Sequence, residues 1–390
     1  MNVVLGVSSG IAIYKAVDLV SKMRKEGWNV QVIMTENAAK LINPVVFSAV
    51  GNCKVFTDTY EIENGWIIHT ELSKWADVFV VAPATANTIA KLAHGFADNL
   101  LTTTALAFQK PSKIVVPTMN TRMYENPATI ENLKRLQQLG WYVLEPESGH
   151  LACGESGKGR YPENEKIMEF IKIVVSEKPL AGKKVLVTAG PTQEEIDPVR
   201  FISNHSSGKM GYAIAKVAKM LGASVCLISG PTCLSVPYFI DEVVFVKSAG
   251  EMYREVLDRA EQYDILIMCA AVADYTPAQR SGSKIKKIED KLVLELVKTP
   301  DILATLGQVK KENQVVVGFA AETEHVVENA IEKLIKKNVD IIVANDVSEA
   351  MGKDTNHVYV ISKNKAVVEV EGTKEEVAKE LLLRICENFC

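Results

Sequence analysis

Three polar patches in the first half of the chain each offer one reactive group. They are His69 in His-Thr-Glu-Leu72, Asn120 in Pro117-Thr-Met-Asn-Thr-Arg-Met123, and Cys153 in Leu151-Ala-Cys-Gly-Glu-Ser-Gly-Lys-Gly-Arg160. An imidazole titrates near neutral pH and suits a base; a thiol of pKa about 8.5 is a usable proton donor. Each also has an ordinary reading: a satisfied core histidine, a small buried cysteine, a helix-capping asparagine. For the last, Asn120 stands several residues too early to cap a helix beginning near Pro127. The second half offers cations instead. Lys333 and Lys337 are four apart and share a helix face, while Lys284 opens a Lys-Ile-Lys-Lys287 run whose other lysines read as a solvated loop.

These groups need strand ends to hold them. Short Val/Ile-rich runs alternate with helical stretches, the pattern of parallel sheets with crossover helices. Strands are expected at Val3–Val7, Val30–Met34, Val78–Val81, Lys113–Val116 and Trp141–Leu144, and helices at Ile11–Lys25, Thr85–Leu92, Leu100–Ala107 and Ala128–Leu139. The pattern restarts at Lys183. Strands follow at Lys184–Thr188, Ser224–Ile228, Val243–Val246, Ile265–Cys269, Val315–Phe319 and Ile341–Ala344, with a hairpin of Val358–Ser362 and Ala366–Glu371. Helices are expected at Met210–Leu221, Glu251–Gln262, His325–Lys337 and Lys374–Asn388. Ser176–Gly182, polar with a proline and a glycine, reads as a boundary, giving an α/β chain of two domains, 1–180 and 181–390.

Open parallel sheets bind ligands beyond the carboxyl ends of their strands. Gly6-Val-Ser-Ser-Gly10 opens the first helix there, admitting an anion or simply forming a capped turn. It is not the GxGxxG fingerprint, and neither Gly208-Lys209-Met nor Gly157-Lys158-Gly completes a P-loop. Ala82-Pro-Ala-Thr-Ala-Asn-Thr88 puts hydroxyls and an amide at another helix entrance, and Ser206–Gly208 repeats the Ser-Ser-Gly theme.

The 390 residues are 47% hydrophobic and 24% charged with a net charge of −4, so no overall basic field favours nucleic acid or an acidic membrane. No apolar run is long enough to span a bilayer. The N-terminus lacks a basic n-region and a small-residue cleavage site, and reads as a buried strand rather than a signal peptide. Seven cysteines without a CxxC pair argue against a disulfide framework and a structural zinc site. A cytoplasmic location is the natural expectation.

Taken together, the Ser8–Ala12 opening, the Ala82–Thr88 segment and the patches around His69, Asn120 and Cys153 resemble the flavin-dependent cysteine decarboxylases, specifically phosphopantothenoylcysteine decarboxylase. Thr188-Ala-Gly-Pro-Thr192, the Asp197–Gly211 segment, Ala270-Ala-Val-Ala-Asp274, Lys284–Lys287 and Val317-Gly-Phe-Ala-Ala-Glu-Thr323 resemble phosphopantothenate–cysteine ligase. The order is that of the fused bacterial enzymes, and the resemblance covers essentially the whole chain. One departure is Tyr124, where the family's PxMNxxMW pattern has tryptophan.

The resemblance implies two Rossmann-like domains, the first flavodoxin-like, and a bifunctional enzyme of coenzyme A biosynthesis. In the first domain it implies FMN held by Ser8, Ser9, Gly10, Thr35, Ala84, Thr85 and Asn87. The substrate thiol is oxidised to a thioaldehyde, CO₂ departs, and the enethiol is reduced. His69 serves the oxidation as a base or a hydrogen-bonding partner, Asn120 holds the substrate carboxylate or its product, and Cys153 protonates the enethiol. In the second domain 4′-phosphopantothenate attacks CTP, and cysteine displaces CMP from the acyl-cytidylate. The implied CTP contacts are Met268, Cys269, Ala270, Asp274, Lys284, Pro300, Asp301, Ile302, Leu303, Phe319, Lys333 and Lys337. Mg²⁺ accompanies the phosphates, Asn204 serves turnover of the acyl-cytidylate, and Gly208 and Gly211 admit a phosphate. The family's homo-oligomer is a dodecamer of decarboxylase trimers and ligase dimers. Two other readings are weaker. A nicotinamide dehydrogenase lacks its fingerprint and the acidic residue about 20 positions later, and a regulatory flavoprotein subunit would not need His69, Asn120 and Cys153 together.

Overall fold

The continuous apolar runs become strands because both of their faces are covered: Val3, Val4, Leu5 and Val7, and likewise Val78, Phe79, Val80 and Val81, are wholly buried in the computed structural model. The structure describes residues 1–59, 62–63, 66–151, 154–286, 292–322, 324–346, 353–363 and 366–389. The chain divides into two units, Met1–Val175 and Ser176–Cys390.

In the first unit β1 (Asn2–Val7), β2 (Asn29–Met34), β3 (Val55–Phe56), β4 (Val78–Ala84), β5 (Lys113–Pro117) and β6 (Trp141–Val143) form a parallel sheet ordered β3-β2-β1-β4-β5-β6. A flavodoxin sheet has five strands ordered 2-1-3-4-5; both arrangements are doubly wound and place the ligand crevice where the order reverses, here between β1 and β4. Val4, Phe79, Val81 and Val115 pack on one face against Leu72, Ile89, Leu101 and Leu136 from helices Ile68–Trp75, Ala86–Ala93, Leu100–Ala107 and Pro127–Gln138. Helix Ile13–Lys25 packs with Pro44–Gly51 and Asn164–Val175.

The second unit repeats the scheme and extends it. Its strands are β7 (Lys184–Ala189), β8 (Ser224–Ser229), β9 (Glu242–Phe245), β10 (Ile265–Met268), β11 (Val315–Glu322), β12 (Ile341–Asp346), β13 (Thr355–Ser362) and β14 (Val367–Thr373). They are ordered β9-β8-β7-β10-β11-β12-β13-β14, parallel up to β12 and antiparallel for the last two. Helices Lys209–Met220 and Lys374–Phe389 cover one face through Ile214, Val217, Leu381 and Leu382. Ala249–Ala260, Ile302–Val309 and Val326–Lys337 cover the other through Met252, Leu306 and Leu334. Among the described residues no helix is long and apolar enough to cross a membrane.

Candidate active sites at two switch points

The reversal between β1 and β4 is fastened by hydroxyls. Ser8, 1% exposed, donates to the Pro83 carbonyl at 2.8 Å and accepts from the Thr85 amide at 2.9 Å. Thr85 Oγ1 in turn accepts from the Thr88 amide at 3.4 Å and caps helix Ala86–Ala93. Thr35 reaches the same rim: its amide donates to the Val7 carbonyl at 3.0 Å, and its hydroxyl caps Ala38 at 3.2 Å. Ser8, Thr35, Ala84 and Thr85 are therefore brought together, Ser9 and Gly10 follow directly, and Asn87 is exposed on the adjoining helix. Helix Ile13–Lys25 starts with no side-chain cap, the condition in which backbone N–H groups can serve an anion.

Asn120 joins this rim because the Thr118 amide donates to the Ala84 carbonyl at 3.0 Å. It is after all a helix cap, though of the short helix Thr121–Tyr124: its Oδ1 accepts from the Arg122 amide at 2.8 Å. The Pro127 helix is capped by Asn126 instead. Asn120 Nδ2 donates to Glu155 Oε2 at 2.9 Å, and Arg122 pairs with Glu155 Oε1 at 2.9 Å. His69 lies in the first turn of helix Ile68–Trp75, and its Nδ1 is buried without a hydrogen-bond partner among the described residues. Cys153 lies outside the described residues. Tyr124 is buried, with its hydroxyl donating to Glu145 and the Lys158 ammonium 5.4 Å from its ring centroid. A cavity of about 330 Å³ near Trp141, Lys113 and Arg135 contains none of the expected FMN residues.

In the second unit a cleft of about 800 Å³ opens at the reversal between β7 and β10. Its floor is tied by Thr188 Oγ1, which accepts from the amides of Cys269 at 3.1 Å and Ala270 at 3.2 Å. Asn204, Met268, Cys269, Ala270, Asp274, Pro300, Asp301, Ile302, Leu303, Phe319, Lys333 and Lys337 all line it. Asn204 Nδ2 donates to the carbonyls of Ala271 and Val272, each at 3.2 Å. Lys333 donates to the Phe319 carbonyl at 3.4 Å, and Lys337 pairs closely with Asp301. Burial raises the Asp301 carboxyl, but Lys337 and the Ala304 amide outweigh it and hold the group below its usual range. Burial pushes the Cys269 thiol up to about 12, which leaves it protonated and inert at neutral pH.

Lys284 is exposed and is not among the residues that line the cleft. The loop that carries it is tethered elsewhere, through the Ile285 amide to Asp197 Oδ2 at 3.1 Å and the Ile285 carbonyl to Arg200 at 2.9 Å. Gly208 and Gly211 both line the cleft, and Gly211 also serves packing: a Cβ there would stand 2.6 Å from that of Ala189, so its absence lets helix Lys209–Met220 press onto β7. Gly208, with φ of 77°, starts that helix with no side-chain cap.

Similarity to known proteins follows the same division. The Flavoprotein family model matches residues 1–176, and that of the DNA/pantothenate metabolism flavoprotein C-terminal domain matches 180–389. The coenzyme A biosynthesis bifunctional protein CoaBC of Bacillus subtilis is 49% identical over 370 residues, covering 93% of this chain and 91% of that protein. Its counterpart in Borreliella burgdorferi is 41% identical over 384 residues, 98% of each chain. The chain belongs to the CoaBC family. A crystal structure of a CoaBC C-terminal domain is similar to 54% of the chain at 46% identity, covering 97% of that domain with a TM-score of 0.47.

Within this CoaBC-family cleft several residues carried no expectation. Lys209, Lys298, Asn345, Asn356 and Lys374 also line it. Lys209 stands at a helix N-terminus directly after Ser-Ser-Gly. Asn356 and Lys374 arrive on β13 and the last helix, far along the chain and with no local signal. Lys209 pairs with Asp354 at 2.7 Å. The Lys374 ammonium is lowered by burial and by Lys209 beside it.

Proposed function

We propose that the chain makes 4′-phosphopantetheine in two steps, with residues 1–180 as the FMN-dependent decarboxylase and 181–390 as the CTP-dependent ligase. The observation that carries this reading is the convergence of Asn204, Ala270, Asp274, Phe319, Lys333 and Lys337 in one cleft, within a chain whose family is that of coenzyme A biosynthesis bifunctional proteins.

In the ligase the phosphopantothenate carboxylate attacks the α-phosphate of CTP, pyrophosphate leaves, and the cysteine amine displaces CMP. Such displacement needs positioning and charge neutralisation more than covalent help. Lys333 and Lys337 supply cations for the triphosphate, Lys337 exchanging Asp301 for a phosphate oxygen. Asn204, anchored on the Ala271 and Val272 carbonyls, positions the acyl-cytidylate, and Phe319 and Asp274 take the cytidine. Lys284 approaches with its exposed loop. Among the described residues there is no group of three or more His, Cys, Asp or Glu side chains that could hold a metal ion; Mg²⁺ would enter with the phosphates of CTP and supply charge neutralisation there.

The first unit suits FMN on two observations. His69 Nδ1 is a buried polar atom with no partner among the described residues, and a Cβ added at Gly10 would meet nothing closer than Pro83 at 3.8 Å. Ser8, Ser9, Gly10, Thr35, Ala84, Thr85 and Asn87 would hold it. FMN supplies the two-electron chemistry needed to oxidise the substrate thiol and later reduce the decarboxylated product. His69 accepts the proton released early, Asn120 holds the substrate carboxylate, and Cys153 returns a proton to the enethiol. Ile11 and Tyr14, 68% and 61% exposed beside Gly10, suit contact with a second copy in the expected dodecamer. The thiols of Cys53, Cys226, Cys233 and Cys269 suit the reducing cytoplasm.

The test is one mixture: the full-length protein with 4′-phosphopantothenate, cysteine, CTP and Mg²⁺. Phosphopantetheine, CMP and CO₂ should form in equal amounts on a yellow protein. CMP without CO₂ removes the decarboxylase reading, and CO₂ from supplied phosphopantothenoylcysteine without CMP removes the ligase.

A further inference from the structure

Glu155 occupies a position suited to a carboxylate ligand. Its Oε2 accepts from Asn120 Nδ2 at 2.9 Å and its Oε1 pairs with Arg122 at 2.9 Å, so both oxygens are engaged by the patch after β5. Asn120 Oδ1 is committed to the Arg122 amide at 2.8 Å, which fixes the amide's orientation and makes Nδ2 the group it offers to an acceptor.

The hairpin of Glu147–His150 and Ser156–Arg160 carries Glu155 at its turn. It lies backbone against backbone on the Asn120 segment: the Met119 amide donates to the Gly159 carbonyl at 3.1 Å. A Cβ at Gly157 would meet Thr121 Oγ1 at 2.4 Å, and one at Gly159 would meet the Met119 carbonyl at 2.2 Å. The Leu151 amide donates to the Glu155 carbonyl at 2.9 Å and closes the turn. The carboxylate is thus delivered to Asn120 by a docked scaffold. With side chains 41% and 85% exposed, the Glu155–Arg122 pair is itself weak and readily exchanged.

We infer that Glu155 is a built-in competitor for the carboxylate position at Asn120 and Arg122. The cysteinyl carboxylate of the substrate displaces it, and the product, having lost that carboxylate as CO₂, cedes the position back. Exchanging one carboxylate for another leaves the local charge unchanged, while a molecule without one must leave Glu155 in place. Glu155 therefore tempers the affinity for the substrate carboxylate and refills its position once that carboxylate has left as CO₂. The inference rests on reading Asn120 as the carboxylate anchor.

The experiment uses the full-length, FMN-loaded protein with Glu155→Ala and Glu155→Gln, assayed with phosphopantothenoylcysteine and titrated calorimetrically with propionate. In Glu155→Ala the KM should fall about three-fold and propionate should bind about three-fold tighter. Glu155→Gln keeps an acceptor for Asn120 without the charge for Arg122, and should fall between. Unchanged or weaker binding of both ligands in Glu155→Ala overturns the inference, because a purely structural role can only weaken them. Asn120→Ala separates the two layers. If it leaves KM and propionate binding unaltered, the anchor itself is wrong; if it weakens both while Glu155→Ala gains nothing, only the role of Glu155 is refuted.

Discussion

Thr85 and Ser8 are locked together across the reversal of the first sheet, the Thr85 amide donating to a Ser8 hydroxyl that itself donates to Pro83. Ser8→Ala removes both bonds from a site only 1% exposed. Leaving a buried donor unpaired costs about 2 kcal/mol, or ~4–8 °C in Tm for a unit of this size. Thermal melts should show that drop, and the purified variant should carry less flavin per chain. Full stability and full flavin content would detach this contact from both roles.

Asp197 gives the second unit an acid-sensitive joint. Its buried carboxylate accepts from the amides of Val199, Arg200 and Ile285 and from the Arg200 guanidinium. Arg200 above all, against the effect of burial, holds this carboxyl well below its usual range. A carboxyl depressed below its unfolded value of about 3.9 stabilises fully above that pH and loses the contribution as pH falls toward the folded value. The Tm advantage of the unsubstituted protein over Asp197→Asn should be constant above about pH 5 and shrink below about pH 4. An advantage that persists undiminished in acid would be inconsistent with this account.

The two activities should separate by mutation. Asn204→Asp or Lys284→Gln is expected to slow CMP formation by about 100-fold or more while supplied phosphopantothenoylcysteine is still decarboxylated. Loss of both activities in a folded variant would count against two sites. For Lys284, exposed in the structure, a normal CMP rate would show that its loop takes no part.

His69 and Cys153 should fail at different stages. His69→Asn should block CO₂ release and leave the flavin oxidised. Cys153→Ser should release about one equivalent of CO₂ and leave the flavin reduced under anaerobic conditions, because a hydroxyl is a far weaker acid than a thiol of pKa about 8.5. Flavin absorbance followed alongside trapped CO₂ distinguishes them. Early blocks in both variants would return Cys153 to substrate clamping.

The sheets were legible because buried parallel strands are uninterrupted apolar runs, as in Val78–Val81 and Ile265–Met268. The hairpin Glu147–His150 with Ser156–Arg160 was not, since its sequence is Gly, Ser and charge and its register comes from docking on Met119 and Thr121. Helix Thr121–Tyr124 is a single turn, too short for periodicity to register. The cleft was readable where a lining residue sits just after a strand, as with Ala270 after β10; Phe319 lies within β11, which runs on to Glu322. Lys374 and Asn356 escaped notice because only tertiary structure returns them to β7. Lys284 is carried outside the cleft lining by a loop whose Ile285 is tied to Asp197 and Arg200, a long-range contact that no local pattern announces.

Both switch points are closed by a hydroxyl reaching far along the chain: Ser8 to Thr85, 77 residues on, and Thr188 to Cys269, 81 residues on. Synthesis is vectorial, and at about 5–20 residues per second each hydroxyl waits ~4–16 s before its partner is made. Over that interval β1 and β7 have only their β2 and β8 neighbours for company, with an apolar edge awaiting β4 and β10. Each crevice is therefore among the later features of its sheet to exist. A nascent chain stalled before Thr85, or a second unit stalled before Cys269, would carry strands but no crevice of its own, and its exposed central edge would make it a client for holding chaperones.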